Sequence, residues 1–271
     1  MICVPPITIS FEGATAVVAG AGTGLGATLA GRFASAGANV VVVARSDASL
    51  KAGEEAVRAV GGSVLSVRAD VTSPADAERV ADAAMSRFGR VDVLVNNAFG
   101  ASAKRMLLDM NPGTLEEWRR TVEVGGYGAL VMSWALAPHM VARQSGAIVN
   151  ITSMSSRIGF AGRSDYAAGK AQAHKIAHAL ADELGPHGVR VNCVAPGHIW
   201  SEQLERFYAA QAAERGVDPA AVREEYTREM ALRRIVTEDE VANAVLFLAS
   251  DLASGITGAL LDVNAGHLFT P

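Results

Sequence analysis

The chain has 271 residues and only two cysteines, Cys3 and Cys193. One lies near the start and the other inside an apolar run, a usage that excludes a disulfide framework and indicates a reducing interior. Cationic residues are not in excess, since 24 Lys and Arg stand against 28 Asp and Glu for a formal charge of −4. That balance excludes the electropositive footprint of a nucleic-acid partner. No apolar run approaches the ~18 residues that a bilayer span requires. The opening "MICVPPITIS" lacks the basic flank and long apolar core of a secretory leader. A soluble, cytoplasmic protein without a membrane partner is expected. Nor are Cys, His and acidic residues clustered at ligand spacing, so no catalytic metal is expected. Linkers, low-complexity segments and internal repeats are also missing, which leaves one domain over residues 1–271.

What the chain does have is apolar residues, 50% of the total, arranged as short Val- and Ile-rich runs. Residues 14–20, 39–44, 63–69, 91–96, 147–152, 189–195 and 259–264 read as seven strands, most of them apolar throughout. That is the pattern of a parallel sheet covered on both faces. The intervening stretches carry helix starts: Ser73 before Pro74, and Thr114 with Glu117 and Thr237 with Glu240 at capping-box spacing. Strand and helix in alternation predict a doubly wound α/β fold. Residues 201–233 break the rhythm as a long charged helical stretch, which Gly216 and Pro219 divide in two. Long insertions between core elements are often functional, and a lid over a pocket is expected here.

"AGAGTGLG" (19–26) follows the first strand and opens a helix. Gly20, Gly24 and Gly26, with Thr23 and Leu25 between them, form a loop whose backbone can approach a pyrophosphate at a helix N-terminus. The second strand ends "VVVVARS", with Ala44 where an acidic residue would favour NAD. Arg45 follows and suits a 2′-phosphate, so NADP(H) is favoured over NAD(H). Further along, "DYAAGKAQ" (165–172) puts Tyr166 and Lys170 one helical turn apart on one face, with only small residues between.

The ordered set of motifs resembles the short-chain dehydrogenase/reductase family of single-domain Rossmann oxidoreductases. It comprises the glycine loop, "ADV" (69–71), "NNAFG" (96–100), Ser153 followed by Tyr166 and Lys170, and "PGHIWS" (196–201). The likeness runs from about residue 12 to the last strand. It implies hydride transfer between a nicotinamide cofactor and a secondary alcohol or ketone. Tyr166 would be the acid/base, and Ser153 would bind the substrate oxygen. Lys170 would hydrogen-bond the nicotinamide ribose and lower the phenol's pKa, since a free phenol titrates near 10 and a nearby cation favours its ionised form. Asp70 and Val71 would border the adenine, Asn97 would lie close to the cofactor, Ile199 would lie against the nicotinamide and Ser201 would contact its carboxamide. The resemblance also implies a homo-oligomer, a tetramer or dimer, built through helices containing residues 132–142 and 174–184.

Three departures from the family pattern stand out. Ala19 replaces a threonine at the glycine loop, and Phe99 stands where glycine is usual. Gly125 occupies the place of a helix asparagine that helps to hold a proton-relay water; its frame is set by Trp118 and Gly128 in "WRRTVEVGGYG" (118–128). Two alternatives stay open: an enoyl or dienoyl thioester reductase of the same superfamily, and a catalytically weak dinucleotide-binding sensor. Phe160, Arg163, His198, Trp200 and the 201–233 segment are the expected lining for a small-molecule substrate.

Overall fold

The computed structural model describes residues 8–100 and 102–269; Cys3 lies outside them. Each Val-rich run is a strand: β1 Thr15–Ala19, β2 Asn39–Ala44, β3 Val64–Arg68, β4 Val93–Asn96, β5 Gly146–Ile151, β6 Val189–Pro196 and β7 Leu260–Val263. All seven pair in parallel in the order β3-β2-β1-β4-β5-β6-β7. Because side chains alternate along a strand, the sheet feeds two cores. Val18, Val40, Val42 and Val95 pack toward α1 (Leu25–Ser35), α2 (Asp47–Arg58) and α9 (Glu238–Ala249). Val17, Val41, Val43 and Leu94 pack toward α3 (Pro74–Phe88), α5 (Gly128–Val141) and α6 (Ser164–Leu184). Val17, Val18 and Val40 are fully inaccessible, and burial of each contributes about 1.5–3 kcal/mol. The strand order reverses between β1 and β4, and in open α/β sheets a crevice for ligands opens beyond the strand ends at such a point.

The helix starts follow local hydrogen-bond chemistry. Ser73 caps α3 by accepting from the Asp76 amide, with Pro74 as first residue. Thr237 and Glu240 form the expected capping box on α9. The expected Thr114–Glu117 box does not form. Asn111 caps α4 (Pro112–Val122) instead, its Oδ1 accepting from the Gly113 and Thr114 amides, while the Thr114 hydroxyl accepts from the Asn111 amide at 2.8 Å. Asn followed by Pro is the stronger start, and it begins the helix three residues earlier.

Gly216, at φ 64, ends α7 (Glu202–Arg215), and Pro219 begins α8 (Pro219–Thr227). The pair is anchored rather than merely solvated: Tyr208, Ala212, Val222 and Met230 are buried against the α9 side of the core. Between α4 and α5 the backbone widens into a π-helical turn, Glu123–Tyr127. Gly125 lies inside it, where an added Cβ would sit 3.3 Å from the Gly169 Cα on α6. Glycine on both sides lets the two helices approach backbone to backbone.

Candidate active site

A cleft of about 580 Å³ runs across the β1–β4 switch point, from Arg45, Ser46 and Ser49 at one end to Tyr166, Lys170 and Ile199 at the other. The glycine loop forms its floor. Gly20 has φ 92, and a Cβ there would fall 2.4 Å from the Ala98 amide nitrogen; one on Gly26 would fall 2.3 Å from the Gly20 carbonyl oxygen. Asn97 fastens the loop, its Nδ2 donating to that carbonyl at 2.8 Å. Gly24 caps α1 without a side-chain bond, and no acidic residue occupies the first turn. The helix therefore presents amides and a positive dipole end to the cleft. Glycine at these positions lets the loop fold tightly on its own backbone, and the free amides left at the helix start fit a dinucleotide pyrophosphate. Gly20, Thr23, Leu25, Gly26, Arg45, Val71, Asn97, Tyr166, Lys170 and Ile199 all line the cleft.

Four expected residues stand outside its lining. Gly24 shapes the loop from behind, next to the Glu238 carboxylate that the Thr28 hydroxyl holds at 2.6 Å. Asp70 turns away: its Oδ1 accepts from the Thr72 amide and hydroxyl, and its Oδ2 lies 3.3 Å from Arg120 and 3.9 Å from Arg45. Burial alone would raise its pKa; the Thr72 hydrogen bonds, with Arg45 and Arg120, outweigh that and hold the carboxyl below its ordinary range. The Ser201 hydroxyl caps α7 by accepting from the Leu204 amide at 3.2 Å. Ser153 is buried, and its hydroxyl accepts from the Ser155 amide at 3.2 Å; its side chain acts to lower the pKa of the Tyr166 phenol.

The electrostatics of the Tyr–Lys pair differ from the expectation. Lys170 is buried, and its ammonium donates to the Ile151 carbonyl at 2.7 Å. It sits over the rings of Phe99 and Tyr166, 5.7 and 5.8 Å from their centroids. Burial pulls the lysine down to about 8, opposed weakly by Cys193. The same burial pushes the Tyr166 phenol above its ordinary 10, although the Ser153 hydrogen bond and the Arg163 charge both act to lower it. Desolvation is the largest of these effects, and Phe99 lies edge-on to the phenol ring at 6.1 Å. Arg163, three residues before the phenol and among the groups that lower its pKa, donates to the Ser102 carbonyl at 2.8 Å. Sequence reasoning placed Arg163 only in the substrate lining; its spacing from Tyr166 was the available signal. It gave Ser46 no role and did not single out Ser49 or Glu238. Among the described residues, no group of three or more His, Cys, Asp or Glu side chains is gathered to hold a metal. No helix among them is long and apolar enough to cross a membrane.

With this fold and cleft in place, comparison with known proteins gives the class. A family model described as enoyl-(acyl carrier protein) reductase matches residues 20–267, and the chain belongs to the short-chain dehydrogenase/reductase family. It is 36% identical to the short-chain reductase protein NovJ of Streptomyces niveus, over 96% of each chain. The crystal structure of levodione reductase superposes with a TM-score of 0.85 at 29% identity, covering 94% of this chain and 98% of that one. A 7α-hydroxysteroid dehydrogenase complexed with NADH and 7-oxo glycochenodeoxycholic acid is similar at TM-score 0.82 and 31% identity, covering 95% of each.

Proposed function

We propose that this chain interconverts a secondary alcohol and a ketone, with Tyr166 as the proton-exchanging group and NADP(H) as the preferred cofactor. The observation that carries the reading is the placement of Tyr166 and Lys170 in one cleft with the glycine cradle. Bound nicotinamide supplies or accepts the hydride. The chain's own groups do the rest. Ser153 and Tyr166 would orient the substrate oxygen and stabilise its developing charge. A phenol held above 10 stays protonated at neutral pH, which equips Tyr166 to donate its proton to a carbonyl oxygen during reduction. Alcohol oxidation asks the same group to act as a base and is favoured by alkaline solution. Lys170, fixed by the Ile151 carbonyl, would hold the ribose. Arg45, with the Ser46 and Ser49 hydroxyls that also line the cleft, would receive a 2′-phosphate. Helices α7 and α8 would act as the lid. The exposed Tyr127, Leu130 and Trp134, along the π turn and α5, would form a subunit contact.

Fluorescence titration with NADH and NADPH, followed by a panel of ketones, secondary alcohols and enoyl thioesters, tests the reading. Ketone reduction with NADPH preference supports it; absence of binding to either cofactor overturns it. The description of the matching family model favours reduction of a conjugated thioester as a second reading, and turnover confined to enoyl thioesters would select that one. Tight cofactor binding without turnover on any of these would select a sensor.

A further inference from the structure

A second cleft, of about 630 Å³, lies between α8 and the 233–237 segment, and it shares no lining residue with the nucleotide cleft. Trp200 forms one wall, with the Arg223 guanidinium stacked over its ring at 5.9 Å. Arg233 and Arg234 approach from the other side, and Glu224 is the one carboxylate in the lining. Arg234 is committed to Glu240 through two hydrogen bonds, 2.6 and 2.8 Å. Arg223 and Arg233 are not: among the described residues neither has a carboxylate within 4 Å, whereas most arginines of this chain are paired. Arg233 also holds φ 53, the left-handed region, where a side chain costs about 1 kcal/mol relative to glycine.

We infer that this cleft is an oxyanion site: it takes a carboxylate or phosphate carried on a flat apolar group, gripped by Arg223 and Arg233 with the apolar part against Trp200. The guanidinium fork matches an oxyanion bidentately while its face stacks on an aromatic ring, and the volume falls in the range of small-molecule sites. Trp200 links the cleft to the nicotinamide end. Its amide donates to the Val236 carbonyl at 2.8 Å, and Ile199, which lines the nucleotide cleft, bridges to Val236. The oxyanion has two sources, a free ligand or the far end of a substrate.

The probe is phenyl phosphate, read by Trp fluorescence and thermal shift on cofactor-saturated protein, so that the pyrophosphate cradle is filled. Wild type is expected to bind with a Kd at or below about 1 mM. Loss of one charge-assisted pair should weaken this at least about tenfold in Arg223→Ala and in Arg233→Gly. The glycine variant also relieves the backbone, so its unliganded melting temperature should not fall. A rise in KM restricted to oxyanion-bearing alcohols identifies the substrate as the source; unchanged KM with lost binding identifies a free ligand. No binding by wild type at about 10 mM, or wild-type affinity retained in both variants, overturns the inference. Neither readout of binding requires turnover, so failure of the proposed reaction would be seen separately.

Discussion

Replacing Lys170 by methionine should make the protein more stable while removing its activity. The lysine is buried, and folding lowers its pKa from 10.5 to about 8. That difference corresponds to about 3 kcal/mol of destabilisation while the group is charged. Methionine fills a similar volume without charge but leaves the Ile151 carbonyl without its donor, a loss of about 1 kcal/mol. The net gain is about 2 kcal/mol near neutrality, or about 5 °C in melting temperature for a chain of this size. The sign depends on pH. Below pH 8 both folded and unfolded chains carry the proton, and the burial cost is fully present. Between about 8 and 10.5 the folded chain sheds a proton that the unfolded chain keeps, so wild-type stability rises with pH and the variant's advantage shrinks. Thermal unfolding of both proteins without added cofactor, from pH 7 to 10, measures this directly. A variant that melts lower than wild type at pH 7, or an advantage that does not change with pH, refutes the reasoning.

Arg45→Ala should weaken NADPH binding by about tenfold or more, the worth of a charge-assisted bond to a phosphate, and leave NADH nearly unchanged in the same titration; equal losses would remove Arg45 from the phosphate site. Gly126→Ala should be neutral or stabilise by up to ~1 kcal/mol in urea unfolding, because the nearest atoms to its Cβ, at 2.1–2.7 Å, all belong to the exposed Gln172 side chain, which can rotate into solvent. Gly125→Ala should instead destabilise, since its Cβ presses on Gly169 backbone at 3.3–3.4 Å; the reverse order would mean that the approach of the π turn to α6 is looser than described. Ketone reduction should keep its rate from pH 6 to 8, as the raised phenol remains protonated, whereas alcohol oxidation should climb above pH 8; a reduction rate that falls across neutrality contradicts that assignment.

The sheet and its order of motifs were legible because parallel strands buried on both faces need long Val and Ile runs, and this chain bounds each with a turn or cap. The Tyr166–Lys170 juxtaposition was legible from helical spacing alone. What escaped the sequence depended on competition or on side-chain direction. Asn111 with Pro112 and Thr114 with Glu117 both spell a helix start, and the difference lay in which oxygen reached the free amides. Ser201 carries the right hydroxyl for a cofactor contact, but it also precedes a helix, and the cap claims it. Asp70 likewise serves its own turn. The direction of the Tyr166 shift could not be read at all. It follows from burial of the phenol, beside a lysine whose ammonium donates to the Ile151 carbonyl. The π turn at Glu123–Tyr127 had a visible signal in paired glycines, but a flexible helix and a widened one look the same on paper.

The proposed reaction rests on proton exchange between the Tyr166 hydroxyl and the substrate oxygen. Tyr166→Phe keeps the ring and its packing against Phe99 while deleting that one group. Steady-state turnover of the best substrate, measured beside cofactor affinity, should fall by about 10²–10⁴ with the cofactor Kd unchanged. Turnover equal to wild type would contradict the account.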